Sequence, residues 1–122
     1  DLYPTLAEAA GIEPPAHLQG QSLLPFLQGK RQSWKKPALS QYPRQGMMGY
    51  ALRTDRFRLV RWQDRNNPGK IIDVELYDHQ QDKSESVNVA NQAEYKTIVT
   101  TLNQQLDAAL AKQVRGKYPR TE

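Results

Sequence analysis

Met48-Gly-Tyr-Ala-Leu-Arg-Thr-Asp-Arg-Phe-Arg-Leu-Val-Arg-Trp62 consists of two runs in which apolar and basic residues alternate, interrupted at Thr54-Asp55-Arg56. A period of two sends successive side chains to opposite faces of a strand, and aromatic and β-branched residues favour that conformation. The polar interruption supplies a turn. The stretch therefore predicts a β-hairpin with one face in a core and an arginine-bearing face toward water or a ligand. Arg53, Arg56, Arg58 and Arg61 alternate around it and cannot all share one face, which predicts solvation or cross-strand pairing for most of them.

Working outward, Ala38-Leu-Ser-Gln-Tyr42 reads as a short strand ended by Pro43, and Arg44 to Gly49 as a mobile loop entering the hairpin. After Trp62, the turn formers Asn66-Asn-Pro-Gly69 make a loop, and Ile71 to Tyr77 a further strand. Asn91 with Glu94 three residues on forms a capping-box pattern. Tyr95, Ile98, Val99, Leu102, Leu106, Ala109 and Leu110 then recur at helical spacing, while Asn103 and Gln105 fall elsewhere. One apolar stripe needs one sheet face. The fold class expected is α+β: an antiparallel four-stranded sheet (38–42, 49–54, 57–62, 71–77) packed by a long C-terminal helix.

At the other end, Asp1 to Gly11 predicts a short helix with Pro4 in its first turn and Gly11 as a left-handed cap. Ser22 is placed to cap a second short helix, 23–27, that Gly29 ends. Leu2, Leu6, Ala9 and Ala10 form a stripe with no evident home in a small sheet-plus-helix unit, so residues 1–29 support a further reading, a plain interaction domain whose exposed face covers a neighbour. The organisation expected is short helices over 1–29, a polar linker over 30–37, the sheet-plus-helix subdomain over 38–115 and a frayed tail over 116–122.

The 122 residues suit one small domain, or a fragment carrying one, and the absence of an initiator methionine before Asp1 suggests the latter. No stretch reaches the roughly 18 apolar residues that cross a bilayer. The net charge of +4 is uneven: residues 1–29 carry −3, residues 30–65 carry +8 and residues 66–122 carry −1. Such a local excess suits a polyanionic partner, glycosaminoglycan or nucleic acid, as a basic binding module; the bland alternative is that it keeps a small sheet soluble and unpaired at its edges. Only Phe57 and Trp62 lie near the basic stretch, and no stacking motif of the RNA-binding type is present, so nucleic acid is not the expected partner.

Catalytic patterns are missing. There is no cysteine, hence no disulfide or thiolate. His17 and His79 lie in unrelated segments, and no metal-ligand cluster surrounds either. No Gly-x-Ser-x-Gly and no phosphate-cradling glycine loop occurs. Asp73 and Glu75 alternate on a strand and are expected to face solvent or pair with arginines.

Three motifs, in order, resemble a known family. Asp1-Leu-Tyr-Pro-Thr-Leu-Ala-Glu-Ala-Ala-Gly11 with Leu18-Gln-Gly-Gln-Ser-Leu-Leu-Pro-Phe-Leu27 resembles the helix and loop that close the main domain of sulfatases. Met48 to Leu59 resembles the hairpin of their smaller C-terminal subdomain. Glu75-Leu-Tyr-Asp78, with Glu85 and Asn88 downstream, resembles the strand and loop before the last helix. Ser40-Gln-Tyr-Pro-Arg44 resembles the iduronate-2-sulfatase branch in particular.

The resemblance implies the C-terminal portion of a formylglycine-dependent sulfatase. Residues 1–29 would end its alkaline-phosphatase-like α/β main domain, and the rest would form the subdomain that closes the structure and lines the active-site rim. The nucleophile and the calcium-type divalent ion of such enzymes precede this segment, so no catalytic or metal residue is carried over, no cofactor is expected within the segment and the 122 residues alone should be inactive. Rim candidates are Gln41, Tyr42, Arg44 and Gln45: a guanidinium can pair with a sulfate or a uronate carboxylate, or else brace the two domains. The partners implied are the main catalytic domain and a sulfated carbohydrate, with neither nucleic acid nor membrane. By resemblance alone, the parent is periplasmic, extracellular or lysosomal.

Overall fold

The computed structural model describes residues 1–18, 20–30 and 36–113 and divides the chain into two units between Lys35 and Lys36. In the first unit, α1 spans Leu2–Ala9 and α2 spans Leu24–Leu27. Pro4 sits in the first turn of α1, where its missing N–H breaks no helical bond. Both helices end in the same way. Gly11 donates to the Glu8 carbonyl and Ile12 to the Ala7 carbonyl; Gly29 donates to Phe26 and Lys30 to Pro25. This paired closure needs a left-handed residue at its centre, and Gly11 and Gly29 supply φ of 68° and 70°.

Thr5 ties the following loop to α1: its hydroxyl donates to the Asp1 carbonyl (2.7 Å) and accepts from the Leu23 N–H (2.8 Å). The Asp1 carboxylate accepts from the Gln21 N–H. Ser22 Oγ accepts from the Leu24 N–H at the entrance to α2. Leu2, Tyr3, Leu6, Ile12 and Leu27 remain exposed.

In the second unit four strands form an antiparallel meander in the order β1-β2-β3-β4. They are β1 (Ala38–Arg44), β2 (Met47–Arg53), β3 (Phe57–Asp64) and β4 (Ile71–Asp78). In place of the expected mobile loop from Arg44 to Gly49 there is a tight hairpin. β1 runs through Pro43 to Arg44, and Arg44 pairs with Met47 across the two-residue turn Gln45-Gly46, both at positive φ (37° and 80°). Gly46 meets that demand freely, and a hairpin of right-twisted strands prefers such a turn. In a hairpin closed this tightly, the pair flanking the turn exchanges both hydrogen bonds. Ala38, Ser40, Tyr42 and Arg44 thus direct their peptide groups to β2, while Leu39, Gln41 and Pro43 direct theirs outward. Pro43 has no N–H to donate, so the outer edge is where a strand tolerates it.

Register sorts the side chains. Leu39, Leu52, Leu59 and Leu76 form one row across all four strands. Leu52, Leu59 and Leu76 are fully buried, with Leu102 and Leu106 of α3 (Lys96–Gln113) against them and Tyr95, Phe57 and Val74 around them. Each buried leucine contributes about 2 kcal/mol relative to exposure. The expected sheet under a terminal helix is thus the observed architecture.

Its entrance differs from expectation. A 3₁₀ turn, Ala93–Tyr95, leads into α3, its cap position is the extended Gln92, and no side chain caps it. Residues 114–122, including the expected tail, lie outside the described residues.

Candidate functional site

β1 presents the rim candidates on different sides. Tyr42 and Arg44 lie on the sheet face opposite α3, Gln41 lies on the α3 side, and Gln45 occupies the turn. All four are exposed. Gln41 Nε2 donates to Met48 Sδ at 3.2 Å. Arg44 makes no ion pair among the described residues. The structure brings Tyr42 and Arg44 together and separates them from Gln41.

Tyr42 stands in a row with Gly49, Trp62 and Asp73. Trp62 crosses Gly49 so closely that a Cβ there would lie 2.7 Å from the indole Cζ3. Its Nε1–H donates to Glu75 Oε1 (2.8 Å), and the Tyr77 hydroxyl donates to Glu75 Oε2 (2.7 Å). The hydrogen bond to Glu75, together with burial, pushes the Tyr77 hydroxyl up to about 12. Arg58 spreads over the Tyr77 ring (5.5 Å to its centroid) and forms an ion pair with Glu85. Tyr42, Arg58, Trp62 and Glu75 bound an open hollow of about 240 Å³, and Ser40, Gly49, Ala51 and Val60 complete its lining. Glu75 thus binds an indole and a phenol instead of an arginine, while exposed Asp73 accepts from the Val74 N–H. The sequence held a signal for this set: Arg58, Val60 and Trp62 alternate opposite Glu75 and Tyr77, with glycine and alanine beneath.

The motif residues from the end of β4 onward are tied into the fold. Asp78 is buried and accepts from Arg56 Nε (2.8 Å) and NH2 (2.5 Å), from the Tyr95 hydroxyl (3.1 Å) and from the Gln80 N–H (3.1 Å). The guanidinium of Arg56 is the main reason that this carboxyl is held at about 2, and burial works against it. Asp82 collects the N–H groups of Ser84, Ser86 and Val87, which hold its carboxyl below the usual range, the Val87 bond most of all. Glu85, at φ 55°, lies 2.5 Å from His79 Nε2. Asn88 Oδ1 accepts from the Leu76 and Ala90 N–H groups, and its Nδ2 donates to the Val74 carbonyl, which covers the free edge of β4.

The hairpin arginines are largely committed. Arg56 pairs with Asp78, Arg58 with Glu85, and buried Arg61 with Asp107 of α3 (2.7 Å) and with Asn103 (3.3 Å), while Arg53 donates to the Thr54 carbonyl. Asn103, read as off the apolar stripe, therefore faces the sheet. These pairings remove most of the uncompensated charge that a polyanion-binding hairpin would need.

Among the described residues no three His, Asp or Glu side chains converge to hold a metal ion, and the chain contains no cysteine. No helix among the described residues is long and apolar enough to cross a membrane.

The architecture is shared with a solved complex of a protein with its substrate D-glucosamine-2-N,6-O-disulfate. That chain superposes with a TM-score of 0.75 at 29% identity, over 98% of this chain and 25% of the other. Two proteins from Bacteroides thetaiotaomicron are similar in sequence. An N-acetylglucosamine-6-O-sulfatase is 32% identical over 103 residues, 78% of this chain and 18% of that protein. A Delta 4,5-hexuronate-2-O-sulfatase is 32% identical over 112 residues, 88% of this chain and 22% of that protein. The class is the C-terminal domain of sulfatases. Residues 1–112 match the family described as N-sulphoglucosamine sulphohydrolase, C-terminal, and the chain belongs to it. It spans about a fifth of the length of these relatives.

Proposed function

We propose that this chain is the C-terminal portion of a sulfatase that hydrolyses sulfate esters of a sulfated carbohydrate. The family match across residues 1–112 carries this reading, and both relatives named above are sulfatases of sugar units. In it, residues 1–29 finish the main domain, which supplies formylglycine and the calcium-type ion, and this chain contributes closure and part of the cleft rim. The iduronate-2-sulfatase-like branch is the finer assignment. Ser40-Gln-Tyr-Pro-Arg44 and the likeness to a hexuronate-2-O-sulfatase support it.

At the rim, Arg44 binds a sulfate or uronate carboxylate through two parallel N–H bonds, and Tyr42 stacks on the neighbouring ring. The 122-residue chain with calcium and an aryl sulfate should show no turnover above buffer; turnover there would overturn the assignment of catalysis to the main domain. The full-length protein should hydrolyse a 2-O-sulfated hexuronate faster than a 6-O-sulfated glucosamine, and the reverse order would remove the branch assignment. In the full-length protein, Arg44→Ala should raise KM for the sugar roughly tenfold with kcat little changed, as for uniform binding. A lowered melting temperature with unchanged KM would make Arg44 a brace between domains instead.

A further inference from the structure

We infer that the hollow between Tyr42, Trp62, Arg58 and Glu75 is a seat for one pyranose ring of the glycan, resting on the sulfated-carbohydrate reading above and extending it from the rim to the sheet face. Four observations point the same way. The lining includes the small side chains Ser40, Gly49 and Ala51 beside Val60, around an open space of about 240 Å³, room for a single hexose. Trp62 is held as a fixed plate: it lies against Gly49 at a separation that only glycine permits, and Glu75 holds its indole nitrogen. Tyr42, 66% exposed, stands on the far side of Gly49 from Trp62. Polar groups sit at the margin: Glu75 retains lone pairs after accepting from Trp62 and Tyr77, and Ser40 offers a hydroxyl.

A pyranose has one face of axial C–H groups and a girdle of hydroxyls. An aromatic plate attracts the C–H face, and a carboxylate and a hydroxyl at the margin pair with the girdle. An aliphatic side chain from elsewhere in the protein would leave that polar margin unused. A phosphate or free sulfate would gain nothing from the aromatic plate. Fixing Trp62 in advance avoids an ordering cost when the ring arrives.

The test uses the full-length protein and a heparin-derived tetrasaccharide, with affinity measured by calorimetry and KM by sulfate release. Ala51→Phe fills the hollow and removes no existing contact, and Tyr42→Ala removes an exposed side chain at the sheet edge. Each should weaken tetrasaccharide binding about tenfold, the scale of one lost stacking contact. The melting temperature checks that both variants fold. If Ala51→Phe folds and binds the tetrasaccharide as tightly as wild type, the inference is overturned, and it is likewise overturned if wild type fails to bind. The Arg44→Ala result separates the two readings. A raised KM there with no effect of Ala51→Phe keeps the rim and removes the hollow, whereas calorimetric binding lost in Ala51→Phe without any sulfate release keeps the hollow and removes the sulfatase reading.

Discussion

The two faces of the one sheet are built on opposite rules. Toward α3, Leu52, Leu59 and Leu76 meet Leu102 and Leu106 with no accessible surface left on four of the five, and Arg61 is buried against Asp107 and Asn103. On the other face small residues border a hollow, Trp62 lies against Gly49 as one of its walls, and Glu75 accepts from Trp62 and from Tyr77, over whose ring Arg58 lies. Neighbouring residues therefore answer to different physics: Leu59 to close packing against α3, Val60 to the lining of the hollow on the other face. A strand of period two lets one short sequence specify both.

Leu59→Ala should have the largest effect, about 3 kcal/mol of lost stability in chemical denaturation, because a fully packed site cannot collapse around the gap. Asp78→Asn comes next, at about 2 kcal/mol near neutral pH, through loss of the charged acceptor for Arg56 and Tyr95. Its pH dependence is specific. A carboxyl lowered to about 2 in the fold, against an ordinary 3.8, stabilises fully above about pH 4 and loses that contribution as pH falls through 2. The gap between wild type and Asp78→Asn should therefore narrow on acidification; a gap constant down to pH 2 would mean that the charge on Asp78 does not matter.

Gly49→Ala should cost about 1 to 2 kcal/mol by forcing the indole off its seat, with a changed near-ultraviolet circular dichroism band as the direct sign. Val60→Ala should have the smallest effect, about 1 kcal/mol, because this largely buried side chain borders the hollow on one side and its loss opens no closed cavity. Equal costs for Leu59→Ala and Val60→Ala would erase the contrast between the faces.

Much of the fold was legible in the residues. Alternation located four strands, and the stripe from Ile98 to Leu110 located the helix that covers them. The errors have local causes. Pro43 reads as a strand terminator because it lacks an N–H, yet that group points away from β2 and the strand continues to Arg44. Gln45-Gly46 carries a weaker turn signal than Asn-Gly, so a tight hairpin looked like a loop. Asn91 and Glu94 fit a capping box, but the chain enters α3 through a 3₁₀ turn with Gln92 at the cap. The arginine partners were hidden for another reason. Asp78 and Asp107 lie 22 and 46 residues from the arginines that they neutralise, and no periodicity links them. Among the rim candidates, the alternation of β1 divides Gln41 from Tyr42 and Arg44, and Gln45 falls in the turn.

The proline at the outer margin of β1 has a consequence for how copies of this protein behave when concentrated. A foreign strand laid along Leu39, Gln41 and Pro43 would meet a ring where the ladder calls for a donor, so growth of the sheet by self-addition stops there. On the opposite margin the side chain of Asn88 already occupies the groups that a visitor would seek. Each margin is thereby a poorer template for the strand pairing that leads to fibrils.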